Sequence, residues 1–323
     1  MFQHILVPLD GSSRAEQALP LAARVARKTG GTIFLLRAVP PTAGDSSYQY
    51  SRVGVYAEEI HKDLVQEANV YLERVAHSDL LAGITLHTYI PSDAPAQAIL
   101  YYAQSQHADL IVLCSHGYTS IKRWMLGSVA QKIARHSLVP VVVLQEKSAR
   151  SSLLHPEETH SVRALVALDG SPFAKATLIP TAQLVAVFGT PALPGVLHLL
   201  RVVQPPGDQE ERKYQVYDIN IREYNRNEAE RYLQTTKERL SKELVAHLNL
   251  QVTFSVVEDA DIATALMRIA ETRDSTGAQS SNGYDLIALA THGRGGIQRW
   301  MTGSVAERLL EKAKLPLLIV RPL

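Results

Sequence analysis

Short apolar runs alternate with amphipathic stretches along this chain, and the whole alternation occurs twice. The first run, His4 to Leu9, predicts a strand. From Ser13 to Thr29 follow Ala15, Ala18, Leu19, Ala22, Val25 and Ala26 at helical spacing, and Gly30-Gly31 closes that helix and releases a strand over Thr32 to Val39. A long helix around Val55 to Leu81 carries Ile60, Leu64, Ala68, Tyr71, Leu72 and Val75 on its buried side. The alternating ITLHTYI at 84–90 is a third strand, and a helix after Asp93 offers Ala98, Ile99 and Tyr102 to an apolar face. DLIVLC at 109–114, a helix over 128–137 and VPVVVL at 139–144 complete the unit. Strands separated by helices, several of them apolar throughout, predict an α/β fold with an open, mostly parallel sheet covered on both faces.

The second pass runs LVAL, helix, VLHLLRVV, long helix, QVTFSVV, helix, DLIALA, helix, LPLLIV. Both ends of the unit recur in wording as well as in pattern. ILVPLDGSS at 5–13 is echoed by LVALDGSP at 165–172, and SHGYTSIKRWMLGSVAQKIARHSLVPVVVL at 115–144 by THGRGGIQRWMTGSVAERLLEKAKLPLLIV at 291–320. The chain is therefore a tandem duplication, with domains expected at 1–148 and 161–323 and a mixed polar linker at 149–160. Extra length in the second copy is assigned to surface connections at 188–194 and 273–283.

Composition narrows the partners. Thirty-three basic against 32 acidic side chains give a net charge of +1, which supplies no general attraction to nucleic acid or to an anionic membrane. Cys114 is the single cysteine, so neither an intrachain disulfide nor a cysteine-rich metal site is expected, and the histidines form no short-spaced ligand cluster. The opening MFQHILVPLD lacks the basic start and long apolar segment of a secretory signal, and the apolar runs are short against the ~20 residues of a bilayer span, so a cytoplasmic location is expected.

Ligands of open parallel sheets bind beyond the carboxyl ends of the strands, at the switch point. Asp10 follows the first strand and His116-Gly117 the fourth; Asp169 and His292-Gly293 repeat the arrangement. Gly117 with Gly127-Ser128, and Gly293, Gly295 and Gly296 with Gly303-Ser304, supply backbone N–H groups and helix starts suited to a phosphate. The second turn is the more open, since Tyr118, Thr119 and Ser120 add side chains in the first. Neither is a Walker loop or a G-x-G-x-x-G fingerprint. The same glycines also suit plain turns, Asp10 and Asp169 suit capping or turn formation, and Ser128 and Ser304 suit helix caps. Arg294 is long enough to reach a phosphate and equally suited to solvent. Arg37 and Arg201 recur near the end of the second strand, where they fit either an acidic crevice or a solvent-facing strand end.

These motifs resemble the universal stress protein family, specifically its tandem two-domain members. The family's ATP-binding pattern, G-x2-G-x9-G-[S/T], is matched by Gly117, Gly127 and Ser128 and again by Gly293, Gly303 and Ser304. Cys114 and Ala290 stand where the pattern has its first glycine. The resemblance implies Rossmann-like five-stranded sheets in the order 3-2-1-4-5, with an adenine nucleotide between the ends of strands one and four. It assigns the nucleoside contact to Asp10 and Asp169 and the position beside adenine to Ala38 and Val202. Mg2+ would enter with the phosphates. Pairing through the fifth strands implies a pseudo-dimer of the two domains and leaves a homodimer of full chains open.

His116 and His292 suit backbone or ligand hydrogen bonds better than base catalysis, and no residue set assembles base, nucleophile and transition-state clamp together. Cys114 reads as a small buried strand end rather than a redox sensor. Trp124 and Trp300 read as packing residues rather than a nucleic-acid stacking platform. Three functions follow in order: an adenine-nucleotide-binding stress or signalling protein in which ATP regulates domain packing or a protein partner, a slow ATPase or phosphotransfer enzyme, and a non-nucleotide protein-interaction module.

Overall fold

The computed structural model describes residues 2–41, 52–115, 127–145, 153, 161–217, 219–242, 246–272, 283–291 and 303–322. The chain divides into two compact units, Met1–Glu146 and Lys147–Leu323. Of the expected linker, Leu153 is described, and it is buried.

In the first unit five short strands, β1 (His4–Pro8), β2 (Thr32–Leu36), β3 (Thr85–Tyr89), β4 (Leu110–Cys114) and β5 (Val141–Leu144), alternate with α1 (Ala18–Thr29), α2 (Arg52–Ala76), α3 (Pro95–Ser105) and α4 (Ser128–His136). The strands lie in the order β3-β2-β1-β4-β5 and every pair is parallel. Right-handed crossovers then put α1 and α2 on one face and α3 and α4 on the other. The central strands are covered on both sides, which is why β4 is buried along Leu110–Leu113 and why those strands read as unbroken apolar runs.

The second unit repeats the plan. It contains β6 (Arg163–Ala167), α5 (Leu178–Phe188), β7 (Gly195–Val203), α6 (Asp208–Gln215), α7 (Ile221–Leu240), the short α8 (Ala246–Leu248), β8 (Leu250–Glu258), α9 (Ile262–Glu271), β9 (Leu286–Ala290), α10 (Ser304–Lys312) and β10 (Leu317–Val320). Its strand order, β8-β7-β6-β9-β10, is the same order in the second copy's own terms, again with parallel pairs. Both units are Rossmann-like α/β folds.

Three expectations are corrected. The helix expected from Ser13 begins as a 3-10 turn at Ala15–Gln17 and becomes α-helical only at Ala18, although its apolar face is buried as read. The second strand ends at Leu36 rather than Val39. On α2, Ala68, Tyr71, Leu72 and Val75 are buried, but Ile60 is 53% exposed and Leu64 also faces solvent. A 25-residue helix is ~37 Å long, while a five-residue strand spans only ~17 Å. The N-terminal half of α2 therefore reaches past its sheet.

Helix α6 was not anticipated. It has no buried residue, so it leaves no apolar stripe to find. Its signal is charge: Asp208, Glu210 and Glu211 lie in the first turn and Arg212 and Lys213 in the last, which complements the helix dipole. The connection at 188–194 falls between α5 and β7 as expected. The connection at 273–283 lies outside the described residues save Gly283, and Trp124 and Trp300 lie outside them entirely.

Candidate functional site

Each first strand delivers its aspartate into a tight turn. Asp10 Oδ1 accepts the Ser12 N–H at 3.0 Å and the Ser12 hydroxyl at 2.6 Å, and Ser12 Oγ in turn accepts the Ala15 N–H at 3.1 Å. In the second copy Asp169 Oδ1 accepts the Ser171 N–H at 2.8 Å, and Ser171 Oγ accepts from Ala174 N–H at 3.2 Å. One carboxylate oxygen is thus committed to shaping the turn. Neither aspartate caps the α-helix that follows, because the residues before α1 and α5 are Gln17 and Thr177. The central glycines, Gly11 and Gly170, both sit at φ +89°, a left-handed conformation costly for any other residue.

The fourth strand of each unit ends beside this turn. β1 pairs with β4 and β6 with β9. The Asp10 charge is felt at the Cys114 thiol, whose pKa is pushed up to about 12, by burial first and by Asp10 second. Cys114 is therefore a neutral thiol at physiological pH, in keeping with a packing role.

Beyond β4 and β9 the chain leaves at a buried hydroxyl residue and returns to the same one. The Ser115 N–H donates to Leu144 O, and Gly127 N–H donates back to Ser115 O at 2.8 Å; Thr291, Val320 and Gly303 repeat both bonds at 3.0 and 2.8 Å. Gly127 and Gly303 are the N-caps of α4 and α10, and as glycines they offer no side-chain acceptor to the first-turn N–H groups of those helices. Ser128 and Ser304 are the first helical residues rather than caps, and both are exposed. The first-turn amides that a helix leaves unbonded are consequently not satisfied by a side-chain cap, the arrangement in which a helix start attracts an anion.

Ala38 is half-buried two residues beyond β2, in backbone that still follows β3: Arg37 N–H donates to Tyr89 O and Val39 N–H to Pro91 O. Val202, half-buried, lies within β7 opposite Val257. Gly117, Gly293, Arg294, His116 and His292 lie outside the described residues. Among the described residues no group of three or more His, Cys, Asp or Glu side chains is placed to hold a metal ion. No described helix is long and apolar enough to cross a membrane.

The arginines near the second strand's end do not face solvent. Arg37 donates to Glu67 at 2.8 Å and stands 4.9 Å from the centre of the Tyr71 ring. Arg201 donates to Glu228 at 2.6 Å and stands 5.5 Å from the Tyr232 ring. The partners come from α2 and α7, where EANVYL at 67–72 recurs as EAERYL at 228–233. This shared E-A-x-x-Y-L segment is the signal that reading the strands and glycines alone passes over. Its Glu and Tyr lie four residues apart, so they project from one helix face. Around the tyrosine the copies diverge: Glu16 binds Arg74 beside Tyr71, whereas Lys175 lies 4.9 Å from the Tyr232 ring. Burial first, then Glu16, pushes the Tyr71 phenol up, so it remains protonated.

Two Rossmann-like units, each with an Asp-Gly-Ser turn beside a fourth-strand loop that returns to a helix start, define a duplicated α/β domain. The universal stress protein family matches residues 1–145 and again 162–321, and the chain belongs to that family as two tandem domains. It is similar to the universal stress protein YxiE of Bacillus subtilis, with 29% identity over 149 residues, covering 45% of this chain and 100% of that protein. A universal stress protein of Mycolicibacterium smegmatis is 23% identical over 330 residues, 98% of this chain and 97% of the relative. The crystal structure of a universal stress protein from Archaeoglobus fulgidus shares the fold over 98% of both chains, with a TM-score of 0.59 and 19% identity.

Proposed function

We propose that each unit binds an adenine nucleotide at the carboxyl end of its first and fourth strands. The observation that carries this reading is the coincidence, in both copies, of an aspartate turn after the first strand with a helix start that lacks a side-chain cap after the fourth. In this reading Asp10 and Asp169 hold the nucleoside, Ala38 and Val202 lie beside the base, and Gly117, Gly127 and Ser128, with Gly293, Arg294, Gly303 and Ser304, hold the phosphates. The residue types fit that group: backbone N–H donors and the positive end of a helix dipole suit phosphate oxygens without a dedicated lysine. Mg2+ would accompany the triphosphate. The protein would act in stress signalling, with ATP altering the packing of its domains or its hold on a protein partner by binding the competing arrangements unequally.

The test is ATP binding by calorimetry, with identification of any nucleotide retained on gentle purification, for the parent and a folded Gly117→Val/Gly293→Val variant. The parent is expected to bind and the variant to lose at least about tenfold in affinity, or ~1.4 kcal/mol. Equal affinity in the two overturns the phosphate assignment. A parent that binds no adenine nucleotide favours the protein-interaction module, and phosphate release abolished by the two substitutions favours the hydrolase.

A further inference from the structure

The arginine, glutamate and tyrosine set behind each turn is absent from the family's nucleotide pattern and from the proposed ligand contacts. It is nonetheless built twice, with matching residue types, helix spacing and ion pairs. In the first unit the guanidinium lies directly against the turn glycine: a Cβ at Gly11 would stand 3.2 Å from Cζ and Nη2 of Arg37. In the second, the tyrosine makes the connection, since Tyr232 Oη donates to Ser171 O at 3.3 Å. The helix thus holds the arginine, and the set is in contact with the Asp-Gly-Ser turn in both copies.

Stability alone does not account for this arrangement. The Arg201 side chain is 5% exposed, while its carboxylate partner Glu228 is 41% exposed, and Nη1 of Arg201 is buried without a hydrogen-bond acceptor. Arg37 is likewise far more buried than Glu67. Burying a guanidinium against a half-solvated carboxylate, with one nitrogen left unbonded, is a poor way to stabilise a sheet; an apolar side chain of similar length serves as well or better. Removing the arginine strands no buried charge, because both glutamates can be solvated where they are.

We propose that Arg37 and Arg201 are positioning residues: with Glu67 and Tyr71, and with Glu228 and Tyr232, they hold the Asp10 and Asp169 turns in the geometry that receives a nucleoside. They act through Gly11 and Ser171 rather than on the ligand. The inference rests on the nucleotide reading for the identity of what is received, and on the contacts above for the positioning itself. Its chemical consequence is selective. A slackened turn lowers the affinity for adenosine as for ATP, and leaves the affinity for inorganic triphosphate, which engages the helix starts, unchanged.

The experiment compares full-length parent, Arg37→Met/Arg201→Met, Asp10→Ala/Asp169→Ala and the fourfold variant. Four quantities are read: ATP and adenosine affinity, triphosphate affinity, the urea unfolding midpoint, and hydrogen exchange of the Ser12 and Ser171 amides without nucleotide. The arginine variant is expected to keep or raise the midpoint, to exchange those amides faster, and to bind ATP and adenosine about tenfold more weakly, equivalent to ~1.4 kcal/mol of lost pre-organisation. In the aspartate background the arginine substitutions should add no further loss, because both act through one turn. Additive losses, or unchanged amide exchange with unchanged affinity, overturn the proposal. A lowered midpoint with proportionate losses for all three ligands also overturns it, showing a merely structural role. If the parent binds no nucleotide while the variant's amides exchange faster, the nucleotide reading fails and the positioning of the turn stands.

Discussion

Equivalent sheet positions carry phenylalanine in one unit and histidine in the other, and the difference exchanges a ring contact for a hydrogen-bonded, titratable side chain. Phe34, opposite Leu6 on β1, stacks on His87 at 5.5 Å between centroids. His198, opposite Leu165 on β6, hydrogen-bonds instead to the hydroxyls of Thr253 and Ser255, both at 2.8 Å. Burial, helped by Arg163, brings the His198 pKa down from 6.5 to about 4. The unfolded chain therefore takes up this proton near pH 6.5 and the folded chain only near pH 4. The residue's contribution to stability is intact above pH 6.5, declines as pH falls towards 4, and is constant below that. Urea unfolding of the parent and His198→Phe between pH 4 and 7 checks this: the parent should lose more stability across the interval, and parallel pH profiles would sink the assignment. The replacement strands little, since Thr253 is exposed.

Helices α9 and α10 are joined at the element scale by a two-point ion pair. Arg308 Nη1 and Nη2 donate to the two oxygens of Asp261 at 2.8 and 2.7 Å, while Asp261 also caps α9 by accepting from Thr264 N–H at 3.2 Å. The Arg308 hydrogen bonds, then the Thr264 amide, hold the Asp261 carboxyl at about 2, below its ordinary value. The stability it adds is therefore full above about pH 4 and lost as pH falls through 2. Asparagine caps a helix about as well as aspartate, so Asp261→Asn removes the charge and keeps the cap. The variant should be less stable than the parent at pH 6, with the gap closing by pH 2; a gap independent of pH would show that the cap alone matters. Both helices were legible from apolar spacing, as at Ala263, Leu266 and Ala270. The pair joining them was not, because Asp261 and Arg308 lie 47 residues apart and only the fold makes them neighbours. The same holds for Arg201 on β7 and Glu228 on α7: the recurrence of E-A-x-x-Y-L was there to be read, but the meeting of the two side chains under the turn required the sheet. Helix α6 escaped for the opposite reason, having no buried face, and the exposed Ile60 and Leu64 misled because periodicity reports a helix face and not where its sheet ends.

At the scale of the whole chain, duplication has preserved the frame and let the two proposed sites drift. The repeat and the alternation of strands and helices were written in the apolar pattern, whereas the strand order came from the family resemblance, since periodicity carries no information on which strands adjoin. Two of the differences bear on phosphate affinity. At α10, Glu307 occupies the first turn where α4 has Gln131, and a carboxylate there costs an incoming anion ~0.3–1 kcal/mol of the helix-dipole attraction. Against this, the second copy has Gly295 and Gly296 where the first has Thr119 and Ser120. Each backbone N–H that side chains keep from a charged phosphate forfeits ~1.5–3 kcal/mol, so glycine spacing outweighs the glutamate if even one such bond is at stake. The second unit is accordingly expected to be the tighter site. Titration of the full chain with ATP should resolve two equivalents of unequal affinity, Asp169→Ala should weaken the tighter class and Asp10→Ala the weaker, and Glu307→Gln should strengthen the tighter class by a further factor of about two to five. Two indistinguishable sites, or loss of the tighter class on substitution of Asp10, would mean that the glycines at 295 and 296 serve the turn alone and that the helix start dominates phosphate affinity.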